Sequence, residues 1–243
     1  MKRGLITWDK SEIPPEVFAR RVDVVRRVLK ERSLDALMVY SDLARSDQAR
    51  FFSNLMLYFN RALLMIPRES ALTLLCGLSP RVYSWIRSVT TIEDIRPAGN
   101  FAKSLFDLAK ERSWTRLGGL DLDQFPYDIH KAIRSGSVEI LNVEGPAVFK
   151  PDADETELTM RRKASAMVEE VLRDEMPNAV GIIDHHFVGR LERRFRRAGA
   201  EDLIVLISNG RTVPAPPAGA ILQNGFSAYV AMEYRGHWVQ LTL

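Results

Sequence analysis

The hydrophobic pattern of this chain changes once, near Lys150, and that change limits the available architectures more than any other feature. Before it, short apolar runs alternate with amphipathic stretches. Leu34–Tyr40 (LDALMVY), Arg61–Pro67 (RALLMIP), Ala71–Cys76 (ALTLLC), Ile92–Arg96, Arg116–Leu120 and Val138–Val143 read as strands. Helical patterns lie between them, at 79–87, 101–112 and 125–134. Another precedes them, opened by Pro14-Pro15 and running to Ser33, with Phe18, Val22, Val25 and Leu29 on one stripe. Strands alternating with helices predict an α/β domain with a parallel or mixed sheet over residues 1–150.

After the change the order is helix, helix, then strands only. Lys150-Pro151-Asp152-Ala153-Asp154 is a polar joint, with Asp154 as the expected N-cap and Glu155 and Glu157 in the first turn. One helix runs to Glu175, stopped by Pro177. A second covers 183–198 and is closed by Gly199. Then come Asp202–Ser208, a Pro-rich corner (RTVPAPPAG) and a terminal hairpin broken at Arg235-Gly236. In its last strand Val239, Leu241 and Leu243 share one face, and Trp238, Gln240 and Thr242 the other. This is an α+β arrangement over residues 151–243. A final strand left unpaired would expose backbone hydrogen-bonding groups and an apolar face.

Composition narrows the function classes. A net charge of +3 over 243 residues, with both signs interspersed, argues against a nucleic-acid partner or a membrane surface. No apolar run nears the roughly 18 residues of a membrane span, and MKRGLITWDK lacks the apolar core of a signal peptide. The single cysteine, Cys76, excludes an intrachain disulfide and suits a cytoplasmic protein.

No motif declares an active site. His185-His186 are adjacent on a helix, so they point about 100° apart, and neither has a carboxylate or Cys three or four residues on. They read as a helix-start pair with Asp184 as cap. Arg190–Arg197 (RLERRFRR) reads as an amphipathic helix with a solvated face, since Leu191 and Phe195 form an apolar pair within it. Gly118-Gly119 lacks the other residues of a phosphate loop. Asp121 and Asp123, expected at a strand end and pointing the same way, read as turn caps rather than metal ligands.

Several segments together resemble the aminopeptidase P, prolidase and creatinase family. They are SLDALMVYSD, ARFFSN, NRALLMIP, KPDADETELTMRRKASAMVEEVL, AGAEDLIVLISNG, PPAG and LQNGFSAYVAMEYRGHWVQ. The resemblance implies a creatinase-type N-terminal domain (1–150) followed by the first half of a pita-bread domain (151–243). It also implies that a further helix pair and strands follow the hairpin, that the protein is a C–N hydrolase acting on peptides or small amino-acid-like amides, and that it is a homodimer.

Family members that use two manganese, cobalt or zinc ions place two aspartates on this hairpin. The resemblance puts Tyr229 and Gln240 there, and a phenol and an amide carry no charge at neutral pH to replace them. The family's substrate-contacting histidine falls on Ala215 or Pro216, and its other ligands would lie beyond Leu243. No metal cofactor is therefore expected, and the chain reads as a metal-free, even inactive, relative. Creatinase-like members also carry an aromatic-x-Arg that reaches a neighbouring subunit's pocket. Phe59-Asn60-Arg61 stands at that place, where Arg61 would grip a substrate carboxylate with two hydrogen bonds. The alternative is that Arg61 only opens a strand while Phe59 packs in the core. Three functions follow: a creatinase-type hydrolase, a non-catalytic protein that dimerises through its N-domain or terminal strand, and a metal-dependent Xaa-Pro peptidase, which the substitutions disfavour.

Overall fold

The structure, a computed structural model, describes residues 6–148, 154–210 and 213–243. The joint at Lys150–Ala153, the basic start of the chain and Arg211-Thr212 of the Pro-rich corner lie outside the described residues. The chain divides into two compact units, Gly4–Asp152 and one containing Ala153–Leu243.

In the first unit β1 (Ala36–Asp42), β2 (Arg61–Pro67), β3 (Thr73–Cys76), β4 (Asp94–Pro97), β5 (Arg116–Leu120) and β6 (Glu139–Val143) form one sheet in the order β4-β3-β2-β1-β5-β6. β2 runs antiparallel to β1 and β3, and the other neighbours are parallel, so the sheet is mixed as expected. Alternate residues of β1 feed two cores. Leu37 and Val39 join Val22, Val25 and Leu29 of α1 (Pro15–Glu31) and Phe52 of α2 (Asp47–Ser53). Ala36, Met38 and Tyr40 join Leu105 and Leu108 of α4 (Phe101–Glu111) and Ile129 and Ile133 of α5 (Tyr127–Arg134). Burial on both faces explains why β1, β2 and β3 read as nearly unbroken apolar runs.

α3 (Tyr83–Val89) begins later than the sequence suggests, after a 3₁₀ turn at Pro80–Val82. α2 was not anticipated. It has seven residues, too few for a periodic signal, and ends on left-handed Asn54. Gly118 has a packing reason: a Cβ there would lie 2.7 Å from Val143 Cγ2, on the neighbouring strand. A short helix, α6 (Gly145–Val148), follows β6.

The second unit opens with α7 (Glu155–Glu175). Asp154 caps it as expected and completes a reciprocal capping box. Asp154 Oδ1 accepts from Glu157 N at 2.8 Å, and Glu157 Oε2 accepts from Asp154 N at 3.0 Å. α8 (Asp184–Ala198) ends at left-handed Gly199. β7 (Asp202–Ser208), β8 (Ser227–Tyr234) and β9 (His237–Thr242) form an antiparallel sheet with β8 in the middle. Arg235 and Gly236 both have positive φ (50° and 84°), as a two-residue type I′ hairpin requires. Along β9 the half-buried His237, Val239 and Leu241 alternate with exposed Trp238, Gln240 and Thr242.

Candidate functional site

The sequence points to two places, one in each unit. In the first unit, Asn60 adopts a left-handed conformation (φ 64°) just before β2. Its side chain fixes the turn: Nδ2 donates to Gly77 O at 2.6 Å, and Oδ1 accepts from Arg61 N at 2.9 Å. Gly77 N donates to Arg61 O at 2.9 Å. A Cβ on Gly77 would come 2.8 Å from Asn60 Oδ1 and 2.9 Å from Arg61 O, so only glycine lets the two segments meet this closely.

This turn presents Phe59 and Arg61 at one end of the sheet. Phe59 is 64% exposed, which overturns the alternative that it packs in the core. Arg61 does open β2, opposite Asp42 of β1. Its Nη1 donates to Asp128 Oδ2 at 2.8 Å, and its guanidinium lies 5.8 Å from the Phe101 ring centroid. The hydrogen bond from Arg61, helped by its charge, holds the Asp128 carboxyl below the usual carboxylate range. Tyr127, beside Asp128 at the start of α5, is 77% exposed. On the adjoining strand Tyr40 donates to Asp42 Oδ2 at 2.8 Å. Burial raises the Tyr40 phenol pKa, and the Asp42 carboxylate raises it further. Sequence reasoning missed Asp128 and Phe101, because strand order brings them to Arg61 from distant parts of the chain.

In the second unit the β8–β9 register pairs Tyr229 with Thr242 and Ala231 with Gln240. Tyr229 and Gln240 are therefore diagonal neighbours on one face, opposite buried Val230 and Met232. The Tyr229 hydroxyl donates to Gln240 Oε1 at 2.6 Å. A hydroxyl and an amide, paired with each other, do not fit a pair of divalent ions, which require anionic oxygens to balance their charge. Among the described residues no three of His, Cys, Asp or Glu gather in a metal-holding group.

The other candidates resolve into structural roles. Asp184 is not the cap of α8, because Ile183 takes that position. Instead its buried carboxylate accepts the backbone N–H groups of Ala218 and Gly219, each at 2.8 Å, and its own N–H donates to Ala220 O at 2.9 Å. Burial alone would raise its pKa, but these N–H groups outweigh it and hold the carboxyl below the usual range. Ala215 pairs with Ile207 through two backbone hydrogen bonds of 2.8 and 2.9 Å. His185 and His186 are exposed on α8. Arg190 and Arg194 are not simply solvated: they pair with Glu175, and Arg194 also with Asp174, tying α8 to the end of α7. Asp121 and Asp123 do not share a direction, since Asp121 is left-handed and Asp123 lies in a 3₁₀ turn. Asp121 accepts from Gly145 N and Gln48 Nε2, tying its turn to the start of α6 and to α2.

Residues 21–147 match the profile of the Creatinase/Prolidase N-terminal domain, more than half of the 243 residues. The chain belongs to this family. Solved structures show the same fold in longer proteins. The X-Pro aminopeptidase from Thermotoga maritima MSB8 is 15% identical with a TM-score of 0.76, over 91% of this chain and 63% of that one. The Xaa-Pro dipeptidase from Bacillus anthracis is 15% identical with a TM-score of 0.69, over 93% and 64%. The prolidase from Pyrococcus horikoshii OT3 is 14% identical with a TM-score of 0.70, over 92% and 63%. This family member thus spans less than two thirds of the length of these relatives. No curated protein sequence is a match. The expected fold class holds: a creatinase-type α/β domain with a mixed sheet, followed by an α+β partial pita-bread domain. Among the described residues, no helix is long and apolar enough to cross a membrane.

Proposed function

We propose that this chain is a creatinase-like relative of the C–N hydrolases. It would recognise a small carboxylate-bearing, amino-acid-like or peptide substrate through Phe59 and Arg61, and work without a metal pair at Tyr229 and Gln240. The observation that carries the metal-free reading is the donor set on the β8–β9 hairpin, two uncharged groups bonded to each other at 2.6 Å. The substrate reading rests on exposed Phe59 and half-buried Arg61 standing on a fixed turn, with a guanidinium suited to a carboxylate. We further read residues 1–150 and 151–243 as its two domains, a cytoplasmic homodimer as its working form, and neither nucleic acid nor membrane as its partner.

A second reading, a non-catalytic interaction protein, is favoured by β9. Among the described residues it lies at one edge of its sheet and carries Trp238, 41% exposed, a suitable template for pairing with another chain.

The test is to purify the protein from metal-supplemented medium, measure bound manganese, cobalt and zinc, and assay Xaa-Pro dipeptides, small amides and guanidino acids. Hydrolysis that persists in a chelator supports the first reading. Stoichiometric metal that is required for dipeptide cleavage overturns it. No hydrolysis of any substrate, together with a stable dimer by sedimentation, selects the interaction protein. A monomer overturns the homodimer.

A further inference from the structure

The way Arg61 is held leads to an inference about a residue that the sequence did not single out. A guanidinium has five N–H donors, and its Nε/Nη2 edge is the one that takes a carboxylate side-on with two parallel bonds. Arg61 meets Asp128 through a single bond at Nη1. Among the described residues it donates no other side-chain hydrogen bond, so the Nε/Nη2 edge is unused. The Phe101 ring lies at 5.8 Å from Cζ, within the range of a cation–π contact. The backbone of Arg61 is fixed by Asn60 and Gly77. The guanidinium is thus restrained at its root, near an aromatic ring and at one corner, with its two-toothed edge free.

We propose that Asp128 is the positioning residue for Arg61, holding Nη1 so that the Nε/Nη2 edge is presented to an incoming carboxylate beside the exposed rings of Phe59 and Tyr127. The inference rests on the reading of Arg61 as a carboxylate contact. The ligand class that fits is a carboxylate with an apolar group close behind it: the carboxylate meets the guanidinium edge and the apolar part meets the rings. The opposite possibility is that Asp128 is a plug, a built-in carboxylate that a ligand must displace. Geometry argues against the plug, because a single contact at one corner leaves the bidentate edge open.

The two roles respond in opposite directions to substitution. Asp128→Asn keeps an acceptor oxygen and removes the charge, whereas Asp128→Ala removes both. If Asp128 positions Arg61, the alanine variant binds carboxylate more weakly although a repelling negative charge has gone, and the asparagine variant matches or exceeds the wild type. If it is a plug, both variants bind more tightly.

The experiment uses the full chain, with matched melting temperatures as the check on folding. ¹⁵N spectra of the Arg61 guanidinium, assigned through Arg61→Lys, report whether rotation about Nε–Cζ is slowed. 3-Phenylpropionate, with its uncharged amide as control, is then titrated against each variant. The expected result is restrained rotation in the wild type and Asp128→Asn, free rotation in Asp128→Ala, and about two- to five-fold weaker binding in Asp128→Ala, the range of one exposed charge-assisted contact. Unchanged Arg61 rotation or tighter binding in Asp128→Ala overturns the positioning role. Restrained Arg61 with no carboxylate binding in the wild type, or binding unaffected by Arg61→Lys, instead overturns the reading of Arg61 as a carboxylate contact.

Discussion

The Tyr229 hydroxyl and Gln240 Oε1 are joined by a 2.6 Å hydrogen bond across the β8–β9 hairpin, on the sheet face opposite Val230 and Met232. The pair is exposed, so it contributes little to folding. Tyr229→Phe should cost no more than about 1 kcal/mol, the net worth of one neutral hydrogen bond. Urea denaturation of the variant checks this. A larger loss would mean that the phenol has another role.

Asp184 makes the opposite case. Its buried carboxylate holds two backbone N–H groups of the Pro-rich corner, and hydrogen bonds to charged groups are worth about 1.5–3 kcal/mol. Asp184→Ala should therefore destabilise the second unit by about 2–3 kcal/mol, read from its denaturation midpoint. Because the folded carboxyl is depressed, its contribution is complete above the unfolded value and is lost as pH falls from about 4 through the folded value. Asp184→Asn should remove that part of the acid dependence, leaving a flatter stability profile below about pH 4.

Gly77 and Asn60 set the Phe59–Arg61 turn by different means. Gly77→Ala forces a Cβ against backbone at 2.9 Å and should cost about 1–3 kcal/mol while disturbing Arg61. Asn60→Gly keeps the left-handed backbone and should be milder than Asn60→Ala, which loses both the conformation and the hydrogen bond to Gly77. Thermal melts of the three variants rank these costs. Equal losses for the two Asn60 variants would show that backbone conformation does not matter there.

Gly189 should respond with the opposite sign. It lies within α8, and a Cβ there meets nothing within 4 Å. Gly189→Ala should stabilise the second unit by about 0.5–1 kcal/mol, through helix propensity and a less free unfolded chain. An unchanged or lowered midpoint would contradict it.

Much of the fold was legible in the sequence because its strands are short apolar runs between clear turn signals. Arg61–Pro67, Arg116–Leu120 and Asp202–Ser208 appear with the expected bounds, and the Asp154 capping box follows from residue types three apart. Gly199 closes α8 because a left-handed end favours glycine. What local pattern could not show was α2, too short for periodicity, and the reach of Asp184 to a loop more than thirty residues away. The site was legible only in part. Phe59 and Arg61 could be named from their place before a strand, but Asp128 is 67 residues beyond Arg61 and enters only through the sheet order.

That separation has a consequence for timing. Arg61 draws on Gly77 at its backbone and on Phe101 and Asp128 at its guanidinium, so it depends on three later stretches of chain. During synthesis Arg61 is made 67 residues before Asp128, and until then the guanidinium lacks that partner. Contacts this distant in sequence form late, because closing the intervening loop must be offset first. The completed guanidinium cradle is therefore a signature that the first unit has folded as far as α5, and a nascent chain halted before Asp128 would lack it.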